Sequence, residues 1–183
     1  MGYLRWIKAA VAGKGISCSI VINRPSGRDK ELKMPTRLKD FATAVVAVVE
    51  PETPASVAAQ LMRKHHVGAL VVVDAAEKSR PIGILTDRDL VLALMAEGLD
   101  PEVFTAGDIM SVELVQATPG MDAMDAVALM RRHRLRRLVI VDEAGRLTGV
   151  VTMEDILELL TRELADLAAG VIGARDREFE QRA

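Results

Sequence analysis

Short aliphatic runs alternate with helical stretches and polar turns from about residue 40 onward. The runs have the length and β-branched composition of buried strands. In the first half of this region they cover 44–49, 69–74 and 81–85. Between the first two runs, Val57, Leu61 and Met62 recur at helical spacing. A second helix is expected to begin at Thr86, so this region predicts the order β-α-β-β-α.

The same order follows a second time, 68 residues further along the chain. Sliding the first unit onto the second superimposes "AAQLMRKH" on "AVALMRRH" and "LVVVD" on "LVIVD". The phrases "GILTDRDL" (83–90) and "GVVTMEDI" (149–156) align at an offset of 66, and the two missing residues fall in a turn, where a fold tolerates them. Such self-similarity indicates one structural unit made twice. We therefore predict an α/β (α+β) fold with a first unit at 40–96, a linker at 97–107 and a second unit at 108–162.

The ends of the helices can also be predicted. Thr53 is a favourable N-cap for the first helix, with Pro54 at the first helical position, and Asp122 can cap the equivalent helix of the second unit. The tail, residues 163–183, is expected to be helical to about Ala169 and then to end in a charged segment after two glycines.

Composition favours an aliphatic interior. Half of the 183 residues are hydrophobic but only 3% are aromatic, so the core must consist of Val, Leu, Ile, Ala and Met. No apolar run approaches the roughly 20 residues that a membrane-spanning helix requires. The single cysteine, Cys18, has no partner for an internal disulfide. These features favour a cytoplasmic location.

The first 39 residues differ in charge from the rest of the chain. They carry nine Lys/Arg and two acidic residues, whereas residues 40–183 carry 15 and 24. The acidic body argues against nucleic-acid binding, because phosphate backbones require basic surface. We expect residues 1–39 to be a basic, poorly ordered extension. The alternatives are an arm that binds a partner, a membrane or nucleic acid, packing of "ISCSIVI" (16–22) in the core, or translation that starts at Met34.

The repeated polar phrase has two explanations. Thr-x-x-Asp at a helix start is a capping box, which accounts for both phrases without a ligand. Alternatively, a threonine that ends a strand and opens a helix lies beside free backbone N–H groups, which attract phosphate. An aspartate one turn into the helix can then accept hydrogen bonds from the two hydroxyls of a ribose. The glycine before each phrase would let a ligand approach the backbone closely.

Five pairs of phrases occur in the same order in both units: "DFAT"/"DIMS", "VEPETP"/"ATPGMD", "AAQLM"/"AVALM", "VGALVVVD"/"LRRLVIVD" and the two G-h-h-T-x-x-D phrases, where h is aliphatic. The first four pairs lie 68 residues apart and the last lies 66 apart. On these residues the region 40–162 resembles the CBS domain family, named after cystathionine β-synthase. The resemblance implies a tandem pair, a Bateman module, packed sheet to sheet with pseudo-twofold symmetry around two clefts. Members commonly bind adenine nucleotides (AMP, ADP or ATP) or S-adenosylmethionine there as regulatory ligands, with no cofactor required, and signal to a partner.

The resemblance also implies which residues bind a nucleotide. They are Thr86, Arg88, Asp89, Arg136, Arg137, Thr152, Asp155, Val46 and Leu114. In the family the aspartate holds the ribose and the threonine lies beside the ribose or phosphate, so Asp89 serves one cleft and Asp155 the other. The adenine is expected between aliphatic strands, near Val46 and Leu114, because no aromatic residue is placed to stack on it.

The two clefts are expected to differ in charge. The second unit has Arg136 and Arg137 where the first has Gly68 and Ala69. By resemblance to the regulatory subunit of AMP-activated kinase, this basic pair would contact the phosphates of a nucleotide whose ribose is held by Asp89. The other cleft would then lack a phosphate clamp. The alternative is that "RRHRLRR" (131–137) is a solvated helix end that complements the helix dipole.

Candidate chemistry of other kinds is weak. His65 and His133 end equivalent helices, and His66 follows the first of them, with no cysteine or carboxylate cluster at ligand spacing. No nucleophile with a base, no P-loop and no zinc motif is evident, so we predict neither a metal site nor an enzyme.

Two functions remain open. The first is a sensor of adenosine-containing ligands that regulates an unidentified protein, and the second is a ligand-free dimeric scaffold. In either case we expect a homodimer that pairs helix to helix, as such modules do in the family. The predicted dimer face comprises Leu90, Leu94, Ile156 and Leu160.

Overall fold

The computed structural model describes residues 5–10, 17–22, 36–43 and 45–180. The strands are β1 Arg5–Ala10, β2 Ser17–Ile22, β3 Val45–Val49, β4 Ala69–Val73, β5 Pro81–Thr86, β6 Gln116–Ala117, β7 Arg137–Val141 and β8 Leu147–Thr152. The helices are α1 Leu38–Phe41, α2 Ala55–His65, α3 Asp87–Leu90, α4 Ala106–Ile109, α5 Ala123–His133 and α6 Met153–Glu180. A π-helical turn, Val91–Met95, directly follows α3.

Each repeat builds a small sheet with the same strand arrangement. In the first repeat β3 runs parallel to β4, which pairs antiparallel with β5. In the second repeat β6 runs parallel to β7, which pairs antiparallel with β8. The predicted mixed α/β fold is thus confirmed. The strand predicted at 112–117 is shorter than expected, since only Gln116–Ala117 pair with β7, and Glu113 lies exposed before them.

The two sheets pack face to face through aliphatic side chains. This layer comprises Val46, Val48, Val71, Val73, Val139, Val141 and Leu147, each at most 6% exposed. Burial of a Val or Leu side chain contributes roughly 1.5–3 kcal/mol, so the layer is a major source of stability. The other face of each sheet packs against its own helices. The predicted sheet-to-sheet packing of the repeats is therefore confirmed.

The helix that precedes each repeat in the sequence packs on the other repeat. Leu38 of α1 is fully buried in the core of the second repeat, and its N–H donates to the carbonyl of Met121 at 3.0 Å. Ala106 of α4 is buried in the first repeat, and its N–H donates to the carbonyl of Thr53 at 2.7 Å. The predicted start of the first unit at residue 40 thus falls inside a helix that belongs spatially to the second.

The glycine of each repeated phrase makes room for these crossing segments. A Cβ atom on Gly83 would lie 2.3 Å from the sulfur of Met110. A Cβ atom on Gly149 would lie 3.0 Å from the carbonyl oxygen of Thr43. The sequence suggested that these glycines let a ligand approach the backbone. In the structure the close approach is between two segments of the protein itself.

Two segments of the basic N-terminal region extend the first sheet. β1 pairs antiparallel with β2, and β2 pairs antiparallel with β3, which gives the order β1-β2-β3-β4-β5. This differs from the poorly ordered extension predicted for residues 1–39. The reason is that β3 would otherwise present an open edge that accepts a further strand, and the run 16–22 is rich in β-branched residues. Met34 lies outside the described residues.

Of the two predicted helix caps, the one for α5 is confirmed and the one for α2 is wrong. Asp122 caps α5 as predicted, and its carboxylate accepts the N–H of Met124 at 2.9 Å. For α2 the N-cap is Pro54 rather than Thr53, so the helix begins one residue later than expected. Thr53 is buried, its carbonyl accepts the N–H of Ala106 at the start of α4, and its side chain does not cap α2.

The last helix is longer than predicted. α6 continues to Glu180, whereas the sequence suggested an end near Ala169. Gly170 and Gly173 both lie inside the helix, and neither adopts the left-handed conformation with which a glycine terminates one. A glycine costs about 1 kcal/mol in a helix interior but does not by itself break the hydrogen-bond ladder.

The dimer face predicted from the sequence is mostly internal. Leu90, Leu94 and Ile156 are 8%, 4% and 1% exposed because they pack in the cores of their own repeats. Only Leu160, at 42%, is exposed. Helical periodicity identified an apolar stripe but could not distinguish the side that faces the sheet from the side that faces solvent.

Candidate functional site

The first repeated phrase ends β5 and opens α3. The backbone N–H and the hydroxyl of Thr86 donate to Oδ2 of Asp89 at 2.8 and 2.7 Å. The N–H of Asp89 donates in return to Oγ1 of Thr86 at 3.2 Å. This is a complete capping box, so folding alone orients the aspartate at the end of the strand.

The second phrase has the same geometry with one addition. Oδ2 of Asp155 accepts the N–H and the hydroxyl of Thr152, both at 2.8 Å, and the Asp155 N–H donates to Oγ1 of Thr152 at 3.1 Å. The hydroxyl of Thr43 also donates to Oδ1 of Asp155 at 3.3 Å. Thr43 comes from the segment that crosses over before the first repeat, so both repeats contribute to the surroundings of this carboxylate.

Each Thr–Asp pair lines a cleft between the two repeats. The Asp89 cleft has a volume of about 260 Å³ and the Asp155 cleft about 290 Å³. The Asp89 cleft is lined, among others, by Thr86, Arg88, Asp89, Ser111, Leu114, Arg134, Arg136 and Arg137. The Asp155 cleft is lined, among others, by Thr43, Val46, Gly68, Ala69, Arg137, Thr152, Glu154 and Asp155. These volumes lie near the lower end of the range for small-molecule sites.

The residues predicted from the sequence fall into the two clefts as two sets. Arg136 and Arg137 lie in the same cleft as Asp89, although they belong to the other repeat. Val46, on β3, lines the Asp155 cleft, and its counterpart Leu114 lines the Asp89 cleft. The clefts are therefore related by the same pseudo-twofold symmetry that relates the repeats.

Arg137 differs from the prediction in one respect, because it lines both clefts. Its Nη2 atom lies 3.5 Å from the position that a Cβ atom on Gly68 would occupy. The Arg137 side chain therefore extends across the boundary between the repeats and reaches Gly68 of the first repeat. The Asp155 cleft thus has one cation at its border, whereas the sequence predicted none.

Several polar residues that line the clefts, Thr43, Asp87 and Glu113 among them, were not predicted from the sequence. Ser111 and Arg134 line the Asp89 cleft, and Glu154 lines the Asp155 cleft. Arg134 ends α5 in the left-handed conformation, with φ of 56°, and the chain turns there into the cleft wall. The repeat alignment contained a signal for Glu154, since it occupies the position of Arg88 between the threonine and the aspartate.

A third capping box has the same geometry away from the clefts. The N–H and hydroxyl of Thr105 donate to Oδ2 of Asp108 at 2.9 and 2.7 Å, at the start of α4. The hydrogen bond from the Thr105 side chain lowers the pKa of Asp108 below its usual value. Neither residue lines either cleft. This box shows that the motif serves folding in this chain, and it provides a natural control for the other two.

The histidines do not come together. Across residues 36–43 and 45–180, no three His, Cys, Asp or Glu side chains are grouped as a metal site would require. His65 ends α2, and its Nε2 atom is buried with no hydrogen-bond partner among the described residues. His133 is exposed at the end of α5.

The fold and the paired clefts define a class of protein, namely tandem α/β repeats with two related clefts between them. The chain belongs to the CBS domain family, whose model matches residues 38–96 and 106–162. An uncharacterized protein of Methanopyrus kandleri is 43% identical over 120 residues, which span 66% of this chain and 60% of that protein.

Two solved structures bear on the clefts. Hypoxic Response Protein I, solved with two coordinated zinc ions, is 34% identical, with a TM-score of 0.59 over 67% of this chain and 98% of that one. A CBS domain protein of Pyrobaculum aerophilum, solved in complex with AMP, is 25% identical, with a TM-score of 0.61 over 68% of this chain and 98% of that one.

The helices of the described residues were compared with the length and hydropathy that a membrane-spanning helix requires. Among those that the described residues form, none is both long enough and apolar enough to cross a bilayer.

Proposed function

We propose that this protein is a regulatory module that binds adenosine-containing ligands in the Asp89 and Asp155 clefts and signals their presence to a partner protein, without catalysing a reaction. The observation that carries the proposal is the placement of the two Thr–Asp pairs, each of which lines a cleft walled by both repeats. A ligand held there contacts both repeats at once and so can change how they pack.

The carboxylates suit a ribose. Both capping bonds to Asp89 end on Oδ2, and we assign Oδ1 as the acceptor for the ribose hydroxyls. The adenine would lie against the buried strands, beside Val46 in one cleft and Leu114 in the other. Apolar walls with a few polar groups are typical of small-molecule sites. The Pyrobaculum relative, whose structure contains AMP, supports this ligand class.

The flanking charges favour a phosphorylated ligand in the Asp89 cleft. Four arginines line this cleft (Arg88, Arg134, Arg136 and Arg137) against three carboxylates (Asp87, Asp89 and Glu113), whereas the Asp155 cleft has one arginine against two carboxylates. The guanidinium groups can form charge-assisted hydrogen bonds with phosphate. In the Asp155 cleft the position of Arg88 is taken by Glu154, which repels phosphate. We therefore assign AMP, ADP or ATP to the Asp89 cleft. The Asp155 cleft suits adenosine or the cationic S-adenosylmethionine.

A homodimer is part of the proposal, with a face different from the one predicted. Val91, Leu92 and Met95 are 48%, 51% and 76% exposed beside α3, and Leu157 and Leu160 are 57% and 42% exposed on α6. We assign these five residues to a helix-to-helix contact between two copies, because each is an exposed apolar side chain on a helix that follows one of the two phrases.

Calorimetry with AMP, ATP, adenosine and S-adenosylmethionine tests the proposal. We expect AMP or ATP to bind the parent protein and to raise its melting temperature. If none of the four ligands produces heat, the proposal is wrong. The alternative, a ligand-free scaffold, would then hold, and it is favoured by one observation: the capping boxes are complete without a ligand.

A further inference from the structure

The C-terminal part of α6 carries an apolar seam that its own repeat does not cover. Its members follow the alternating spacing of three and four residues that defines a coiled coil: Leu157, Leu160, Leu164, Leu167, Val171 and Ala174. Leu164, Leu167 and Val171 are 67%, 68% and 70% exposed. The second CBS match ends at residue 162, so most of the seam lies beyond the repeat.

The side of α6 opposite the seam is charged in its first turns and carries mostly small residues further on, at Ala165, Ala169 and Gly173, with Ile172 53% exposed. Glu158 and Arg162 lie on the opposite side from the seam and form an ion pair with each other. An apolar stripe that repeats every 3.5 residues, with charge on the other side, is typical of a helix that pairs with another helix. Gly170 and Gly173 weaken an isolated helix, so the continuity of α6 to Glu180 also favours a partner for this segment.

The charges beside the seam identify the partner and its direction. With Leu164 and Val171 at heptad position a, Glu163, Gly170 and Arg177 all occupy position g. In an antiparallel pair position g faces position g of the other helix. A twofold axis at Gly170 therefore brings Glu163 of each copy opposite Arg177 of the other. In a parallel pair position g faces position e, and no opposite charges meet, because Ala168 lies opposite Glu163.

We infer that residues 163–177 of α6 pair antiparallel with the same segment of a second copy of this chain. Gly170 lies at the centre, where the absence of a side chain lets the two helices approach closely. The contact lies beyond the second CBS match and does not depend on ligand binding. Of the five residues assigned above to the helix-to-helix face, only Leu157 and Leu160 belong to the seam, and both precede the segment 163–177.

The test compares two double variants of the full chain. Leu164→Glu/Leu167→Glu places two charges in the seam, and Ala165→Glu/Ala169→Glu places the same charges on the outer side of the same helix. In sedimentation equilibrium we expect the first to weaken self-association at least about tenfold, because buried apolar anchors dominate such contacts. The second should change it less than about twofold. Equal dissociation constants for the parent and the seam variant would overturn the inference.

A charge exchange tests the direction of pairing. Glu163→Arg should weaken self-association, and Glu163→Arg/Arg177→Glu should restore it, because the exchanged charges again face each other. Failure of the double variant to restore association would overturn the antiparallel arrangement. Amide hydrogen exchange gives a local readout: protection of 163–177 should rise with protein concentration in the parent and not in the seam variant. Protection that is independent of concentration would exclude a second copy as the partner.

Discussion

The Asp89 and Asp155 clefts share the residues that cap a helix and differ in the charge of the residues beside them. Both contain a Thr–Asp capping box with nearly the same hydrogen-bond lengths. The cap imposes no charge on the residue between the threonine and the aspartate, and there the clefts carry Arg88 and Glu154 respectively. Helix formation thus explains the features that the clefts share, whereas the differences in charge have no role in the cap. Under the proposed function we expect these charges to select the ligand.

The largest expected effect is the loss of the Asp89 carboxylate. Removing a hydrogen-bonded charged partner typically costs about 2–5 kcal/mol, or roughly 30-fold or more in affinity. Calorimetry should therefore show that Asp89→Ala nearly abolishes AMP or ATP binding. Asp155→Ala should leave this binding intact and remove only a second site for a ligand without phosphate. The opposite pattern would mean that Arg136 and Arg137 act with Asp155 instead.

Asp108→Ala is the matched control for this experiment. It removes a capping box with the same hydrogen bonds, away from both clefts. Its nucleotide affinity should equal that of the parent. If Asp108→Ala weakens AMP binding as much as Asp89→Ala does, loss of a helix cap explains both results and the ribose assignment fails.

The next largest effect is expected from Arg136→Ala, which should weaken phosphate contacts and leave ribose contacts unchanged. A hydrogen bond to a charged group contributes about 1.5–3 kcal/mol, so Arg136→Ala should weaken AMP binding by roughly 10- to 100-fold. Adenosine, which has no phosphate, should bind with unchanged affinity. Arg137→Ala should alter both clefts, because this side chain lines both. An equal loss for AMP and adenosine in Arg136→Ala would exclude a phosphate contact.

A smaller effect is expected from exchanging the divergent charges. Glu154→Arg should allow a phosphorylated ligand to enter the Asp155 cleft, and titration with AMP should then show a second site. Because Glu154 is exposed and its interactions are screened, we expect a gain of only about tenfold or less. Glu154→Gln removes the repulsion without adding a cation and should lie between the parent and Glu154→Arg. Identical titrations of all three proteins would show that this position does not select the ligand.

The N-terminal strands should matter more to one cleft than to the other. β2 covers the edge of β3, the strand that carries Val46, whereas the described second sheet begins at β6 itself. Deleting residues 1–33 should expose the edge of β3 and lower the melting temperature by roughly 2–4 °C for each kcal/mol lost. Binding in the Asp155 cleft should weaken more than binding in the Asp89 cleft. An unchanged melting temperature would show that residues 1–33 are an extension that does not contribute to the stability of the rest of the chain.

The smallest expected effect concerns the equivalent turns of the two repeats. Backbone hydrogen bonds, first from Glu77, lower the pKa of Asp74, whereas hydrogen bonding by the Arg146 side chain is the main cause of the lowered pKa of Asp142. A lowered pKa stabilises the fold above the usual value of 3.8, and this contribution is lost as the pH falls through the folded value.

Arg146→Ala should therefore destabilise the protein at pH 7 by at most about 1 kcal/mol, since the ion pair is partly exposed. Chemical denaturation should show that the difference from the parent shrinks below pH 3.8 and vanishes once the pH has fallen through the lowered folded pKa of Asp142. A difference that persists at pH 2 would indicate packing of the arginine stem rather than charge.

The sequence was sufficient for those features that depend on local order. The duplication, the strand and helix order, the Asp122 cap and the two Thr–Asp boxes all follow from residue spacing along one chain segment. The pairing of Arg136 and Arg137 with the Asp89 cleft came from resemblance to a family rather than from spacing, because these residues are separated from Asp89 by more than a whole strand and helix.

Only the tertiary structure decided which surfaces the same residues meet. The sequence placed Leu90 and Leu160 together on apolar helix faces, yet Leu90 is buried in its repeat whereas Leu160 is 42% exposed. Nor does residue spacing indicate that α1 and α4 each pack on the other repeat, or that Met110 lies beside Gly83. The same holds for Arg137, which extends across the boundary between the two repeats. Hydrogen bonds within a helix or turn join residues a few positions apart, but packing joins segments that are distant in sequence, so long-range arrangement cannot be inferred from spacing alone.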